Sequence, residues 1–132
     1  MRIMLDTNLL ITPPDLSRLP ASEEHELMTS AIAYAELQEG EFASDPLVRL
    51  QAPLDYLRAT ALFGEGLPFD DLAANVYRAV CRAVVEAGRQ VGRARRIDLM
   101  IAAIAIANDC ALATRNPADF DGLQPLMQII EL

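Results

Sequence analysis

Arg2-Ile3-Met4-Leu5-Asp6-Thr7-Asn8 is the stretch on which the reading of this chain turns. A short apolar run ends abruptly at a carboxylate, the pattern of a buried strand that opens into a polar turn. Three more short runs repeat the theme: Glu26-Leu27-Met28-Thr29, Ala111-Leu112-Ala113-Thr114 and Met127 to Ile130. Between them lie helical segments with their own punctuation. Pro13-Pro14 stops regular structure, with room for a short helical turn after it. Ser30 caps a helix from Ala31 to about Glu39, which Gly40 ends. Ser44-Asp45-Pro46 starts a second helix, since a capping side chain is followed by proline in the first turn; it runs to about Phe63, before Gly64 and Gly66. Leu67-Pro68-Phe69 reads as a short strand or an extended connector. Asp70-Asp71 opens a helix whose Leu72, Val76, Val80 and Val84 recur every four residues, with Gly88 and Gly92 bracketing its end. Ile97 to Asn108 is apolar almost all round and should be a helix buried between other elements. Asn116 to Phe120 reads as a turn or helical turn.

Strands alternating with helices predict an α/β fold of three layers, a mostly parallel twisted sheet with helices on both faces. No linker, repeat or low-complexity run interrupts residues 1–132, so one domain is expected. In such sheets ligands bind beyond the carboxyl ends of the strands. Asp6 ends the first strand, while Asn116 and Asp119 follow the strand at Leu112, so both groups should face one crevice.

Composition narrows the setting. The longest apolar stretch, Leu99 to Ala107, is too short to cross a bilayer, and Asp6 interrupts the first apolar run before it can read as a signal peptide. Cys81 and Cys110 lie in apolar patterns without metal-ligand spacing, which suggests buried free thiols and a cytoplasmic protein. The formal charge of −8 speaks against a nucleic-acid partner, but its distribution qualifies that. All 11 basic residues are arginine. Arg78, Arg82, Arg89, Arg93, Arg95 and Arg96 share one stretch whose only acid is Glu86, whereas Glu23, Glu24, Glu26, Glu36, Glu39, Glu41, Asp70 and Asp71 crowd the earlier part of the chain.

Each acid, taken alone, has a plain structural explanation. Asp6 can cap the segment that begins at Thr7 and Asn8, and Asp98 can cap the apolar helix at its mouth. Glu36 and Glu39 lie on a helix where periodicity does not choose between them. Asp119 precedes Phe120 in a loop. Their convergence is what matters. Clustered carboxylates repel and raise one another's pKa values unless a hard cation neutralises them. Oxygen donors without histidine or cysteine suit Mg²⁺, or Mn²⁺, rather than zinc. Such ions serve in phosphate-ester hydrolysis. His25, in the acidic stretch before the second strand, receives no role.

Four segments then carry a resemblance: Met4-Leu5-Asp6-Thr7-Asn8-Leu9-Leu10, Ala35-Glu36-Leu37-Gln38-Glu39-Gly40, Asp98-Leu99-Met100-Ile101-Ala102-Ala103 and Ala113-Thr114-Arg115-Asn116-Pro117-Ala118-Asp119-Phe120. In order and spacing they resemble PIN-domain proteins, and the whole chain looks like the VapC toxins of bacterial toxin–antitoxin pairs. Glu41 to Ala94 carries no family-defining residue. The resemblance implies a PIN-like fold with a pocket of four acids, Asp6, Glu36, Asp98 and Asp119, and so prefers Glu36 to Glu39. Asp6 and Asp98 would be the principal metal ligands. Glu36 and Asp119 would complete the shell and help orient the attacking water. Thr7, Thr114 and Asn116 would be supporting polar groups, with Asn8 a weaker candidate. The implied activity is Mg²⁺-dependent endoribonuclease cleavage by activated water, leaving a 3′-hydroxyl and a 5′-phosphate, on structured RNA such as tRNA or rRNA. A cognate antitoxin and a homodimer are the implied protein partners.

The arginines keep two readings. Arg78, Arg82 and Arg89 form either a stripe for phosphates or a solvated helix face with Glu86 paired to Arg82. Arg93, Arg95, Arg96 and Arg115 are the candidates for RNA or antitoxin contacts, the first three because they immediately precede Asp98. Within the same fold, an RNA-processing nuclease without an antitoxin and a catalytically inactive binding module are the alternatives; the four intact acids argue against the second. A receiver domain would need a lysine, and the chain has none. A haloacid-dehalogenase-type phosphatase would need a second aspartate where Asn8 stands.

Overall fold

The computed structural model describes residues 1–132. In chain order the elements are β1 (Arg2–Leu5), α1 (Thr7–Ile11), a 3-10 turn (Leu16–Arg18), β2 (Glu26–Thr29), α2 (Ala31–Glu39), a 3-10 turn (Gly40–Phe42), α3 (Pro46–Phe63), α4 (Asp71–Glu86), α5 (Arg96–Ala107), β3 (Ala111–Thr114), a 3-10 turn (Pro117–Phe120) and β4 (Ile129–Glu131). The four strands form one sheet in the order β2-β1-β3-β4, and every pair is parallel. Leu5 lies opposite Thr29 on one side and Ala113 on the other. From β1 the chain moves outward to β2, then returns across the sheet to β3. The direction of winding therefore reverses between β1 and β3, where a crevice opens at their carboxyl ends.

Two core clusters share this sheet because successive strand residues point to opposite faces. Ile3, Leu5, Ala111 and Ala113 pack with Leu9, Leu10, Ala33, Tyr34, Leu37 and Ala59, under α1, α2 and α3. Met4, Met28 and Leu112 pack on the other face with Val80, Val84 and the apolar body of α5. Ile101 to Ala105 is wholly buried, so the body of α5 lacks a solvent face, as its uniform apolarity predicts, while Ile97 at its start is exposed. The cap residues behave as expected: the side chains of Ser30, Asp45 and Asp70 each accept a backbone N–H in the first turn of the helix that follows.

The three-layer α/β fold is the predicted one, the mostly parallel sheet being parallel throughout, with three local corrections. A helix α1 follows Asp6; at five residues it is too short for periodicity to reveal. Leu67 makes only a single parallel bridge to Ser30, so of its two readings the extended connector holds, pinned to the sheet edge. The last strand begins at Ile129 rather than Met127. Cys110 is buried, but Cys81 is only partly so.

Candidate active site

The β1–β3 ladder continues one residue past the strand, because the Asp6 N–H donates to the Ala113 carbonyl at 2.9 Å. That bond holds the Asp6 side chain over the crevice with only 6% of the residue exposed. Its Oδ1 accepts the Thr7 N–H at 2.8 Å and its Oδ2 accepts the Thr114 hydroxyl at 2.8 Å. Burial pushes its pKa above the ordinary aspartate value, these two bonds oppose the rise, and the Asp119 charge adds to it. Asp6 thus caps α1 and also stands among other acids. The two explanations coexist.

Glu36 projects from the middle of α2 toward α1, where its Oε1 accepts the Thr7 hydroxyl at 2.6 Å. Partial burial raises its pKa, the Thr7 bond opposes this, and the charges of Asp6 and Glu39 add to it. Glu39, one turn on, is exposed. Asp98 occupies the first turn of α5, yet it is not the cap: Arg95 takes that position and makes no side-chain capping bond. Its pKa is pushed up to about 6, chiefly by burial and then by the charges of Asp6, Asp119 and Glu36. Arg95 offsets only a small part of this. Asp119 reaches the group from the exposed 3-10 turn after β3. The other three acids therefore lie within electrostatic reach of Asp98, from segments up to 113 residues apart.

Thr114 joins the polar supports. Its hydroxyl donates to Asp6, and its oxygen accepts from the Asn116 N–H at 3.1 Å and the Asn8 side-chain amide at 3.3 Å. The Asn8 carbonyl oxygen accepts the Arg115 N–H at 3.3 Å, so Asn8 stitches α1 to the end of β3. Asn116 contributes its backbone to this network, while its side chain does not cap the turn it precedes. Asn8 sits in a helix that no sequence pattern announces, so only the structure shows its part.

The arginines separate into distinct groups. Arg115 is turned away, donating to the carbonyls of Thr12 and Pro13. Arg95 is half-buried and reaches the Asp119 carbonyl at 3.4 Å. Arg93 and Arg96 are exposed beside them. The expected stripe breaks: α4 ends at Glu86 and Gly88 turns the chain at φ +78°, so Arg89 leaves the helix face that carries Arg78 and Arg82. The Arg82–Glu86 pair is absent too, since the ion pairs are Arg2–Glu26, Arg58–Asp55 and Arg89–Asp121.

No cation of the chain pairs with the four carboxylates, and their donors are all oxygen. In chemistry and charge they fit a hard divalent ion. As the side chains stand, no three His, Cys, Asp or Glu groups are gathered closely enough to hold one. The donors fit, and the enclosing arrangement is not formed.

Comparison with solved structures places the fold. Over 99% of its length the chain is 30% identical to a chain in the crystal structure of VapBC-5 from Mycobacterium tuberculosis, a member of the VapBC family of toxin–antitoxin systems; 98% of that chain is covered, with a TM-score of 0.78. The chain is a VapC-type PIN domain. It is also similar to a chain of VapBC2 from Rickettsia felis, bound there to a promoter DNA fragment, with 25% identity, 100% and 99% coverage and a TM-score of 0.75. A third similar chain belongs to VapBC-1 from nontypeable Haemophilus influenzae, with 26% identity, 99% and 98% coverage and a TM-score of 0.71. No family model and no curated protein matches the sequence. This PIN domain is thus related, over its full length, to chains of toxin–antitoxin systems. No helix in it is long and apolar enough to cross a membrane.

Proposed function

We propose that this PIN domain is a Mg²⁺-dependent endoribonuclease and the toxin of a type II toxin–antitoxin pair. One observation carries the reading: four carboxylates from four separate segments face the switch point of the sheet within electrostatic reach of one another, and no cation of the chain forms an ion pair with any of them. Asp6 and Asp98 would hold the ion, Mn²⁺ being an alternative to Mg²⁺, and Glu36 and Asp119 would complete its surroundings. When bound, the ion supplies the charge that activates a water for attack on phosphorus and stabilises the leaving oxygen. The chain's own residues set the geometry. Thr7 and Thr114 fix the carboxylates of Glu36 and Asp6 by hydroxyl donation, so both are oriented before substrate arrives. Asp119, more open to solvent, would help Glu36 orient the attacking water. Arg93 and Arg96, exposed just before Asp98, supply charge for an RNA phosphate backbone.

A protein partner is supported by α3. Leu47, Leu50, Leu54 and Leu57 are spaced alternately by three and four residues and are 75%, 74%, 57% and 63% exposed. That spacing is the seam by which one helix packs on another. We assign this face to the antitoxin. Homodimerisation in the cytoplasm belongs to the same reading.

The test incubates purified protein with total RNA and Mg²⁺, with and without EDTA, beside Asp6→Asn and Asp98→Asn. Cleavage should require the ion and disappear in both variants. Identical RNA profiles for wild type and variants would refute the nuclease.

A further inference from the structure

The turn that carries Asp119 is anchored in the core by Phe120 and is otherwise exposed. It is a single turn of 3-10 helix, Pro117–Phe120, its cap residue Asn116 makes no side-chain capping bond, and of its residues only Phe120 is buried. Asp119 nevertheless stands close enough to Asp6 and Asp98 for its charge to be felt at both. The turn's exposed side is held from the connection between α4 and α5, where Arg95 reaches the Asp119 carbonyl at 3.4 Å and Arg89 makes the shorter contact. Arg89 Nη1 donates to the Ala118 carbonyl at 2.6 Å and reaches the Asp121 carbonyl at 3.4 Å, and it pairs with the Asp121 carboxylate at 3.8 Å. These partners flank Asp119 on both sides. Gly122 completes the seat: its φ is +97°, and a Cβ there would stand 2.8 Å from the Ala87 Cβ, so the turn lies directly on the end of α4.

We propose that Arg89 is a positioning residue, whose guanidinium grips the carbonyls on either side of Asp119 and so sets where that carboxylate stands relative to Asp6 and Asp98. The inference rests on the nuclease reading of the four acids. It also changes the role of one arginine in the basic zone. Arg89 is mostly covered, with its donors turned onto carbonyls of its own chain, so it is not available to a phosphate backbone as the exposed Arg78 and Arg82 are. A displacement of about 1 Å at a reacting group can cost roughly a hundredfold in rate. A grip on one turn can therefore control turnover without contributing to substrate binding.

The experiment uses the full chain with Arg89→Met, which keeps the stem and removes the donors, and Arg89→Lys, which restores charge and a donor. Gly122→Ala lifts the same turn from α4 without altering Arg89, and Asp119→Asn is the reference. Three quantities are measured: amide hydrogen exchange of residues 116–121, the rise in thermal midpoint on adding Mn²⁺, and kcat and KM for RNA cleavage in Mg²⁺. Arg89→Met and Gly122→Ala should speed exchange in that segment, cut the Mn²⁺ increment to that of Asp119→Asn, and lower kcat roughly ten- to a hundredfold with KM within about twofold. Arg89→Lys should recover part of each.

Faster exchange with unchanged Mn²⁺ response and kcat would leave Arg89 a merely structural residue and overturn the proposal. A loss confined to KM would make it an RNA contact, with the same result. Wild-type protein that neither responds to Mn²⁺ nor cleaves RNA would refute the nuclease reading itself. The exchange data then decide the grip alone, and unaltered protection of residues 116–121 in Arg89→Met would overturn it.

Discussion

Replacing Thr114 with valine removes one hydroxyl and almost no volume. Thr114 is fully buried, so neither water nor a shifted rotamer can take over that hydroxyl's bonds. Three contacts are lost together: donation to Asp6 Oδ2 at 2.8 Å, acceptance from the Asn116 N–H at 3.1 Å, and a longer one from the Asn8 amide at 3.3 Å. A hydrogen bond to an ionised acceptor contributes about 1.5–3 kcal/mol, and an N–H left unpaired costs about 1 kcal/mol or more. The Asn8 contact is long enough to neglect. Valine avoids desolvating a hydroxyl, which returns part of this. The net loss should be about 2–4 kcal/mol, a large share of the roughly 5–15 kcal/mol of a typical domain. The assay is urea unfolding of the metal-free protein at pH 7.5 and pH 4.5, with Thr114→Ser as the control that keeps the hydroxyl.

The pH pair tests the physical cause. Asp6 has a folded-state pKa above its unfolded value. Its contribution to stability is therefore complete below the unfolded pKa and lost as pH rises through the folded one. The Thr114 bond holds that pKa down, so Thr114→Val raises it further and enlarges the penalty at neutral pH. The valine variant should accordingly lose more at pH 7.5 than at pH 4.5. A loss equal at both pH values, or no greater than that of Thr114→Ser, would refute the assignment of Thr114 as the hydroxyl that steadies an ionised Asp6.

Other consequences are as direct. Asp98→Asn should stabilise the metal-free protein at pH 7.5 by about 1 kcal/mol, a figure discounted because the side chain is half exposed. That gain should fade as pH falls from about 6 toward the unfolded value of 3.8, because the wild-type carboxyl then protonates in the folded state; unfolding curves in EDTA across this range check it. Arg58→Met should cost roughly 3 kcal/mol, since it leaves Asp55, only 3% exposed, with the Gln51 amide alone and frees the carbonyls of Leu10 and Ile11. Asp55→Leu in the same protein should recover much of that loss in thermal denaturation. Leu50→Glu with Leu54→Glu on the exposed face of α3 should leave stability within about 0.5 kcal/mol per site. The pair should abolish co-purification with the product of a short reading frame just upstream, if that frame encodes the antitoxin.

Much of the fold was legible because short-range chemistry wrote it. The proline-marked start at Asp45-Pro46, the serine cap at Ser30 and the apolar run through α5 are local signals, and the elements they announce are present at nearly the expected boundaries. The elements that escaped were those without a local signature. Helix α1 has five residues, too few for a periodic face, and is held by Asp6 at one end and by Arg58, 47 residues past Ile11, at the other. Composition left Leu67 open between strand and connector, and its bonds to Thr29 and Ala31 decide its place.

Asp6 was readable from the first seven residues as an acid at a strand end, and the resemblance named its three companions. The residues around them could not be ranked in the same way. Whether Glu36 or Glu39 turns inward depends on which face of α2 meets α1, and the Thr7 hydroxyl settles that contact. Whether an arginine meets solvent or grips a carbonyl depends on where a helix stops, so Arg89 and Arg82 part company at the end of α4. Sequence by itself determined the strand-and-helix alternation and the three-layer class, because pattern and capping act over a few residues, whereas the set of acids came from the resemblance. Only the tertiary structure decided that these acids share one crevice without a neutralising cation, and which neighbours hold them there, because those relations join groups as far apart as Asp6 and Asp119.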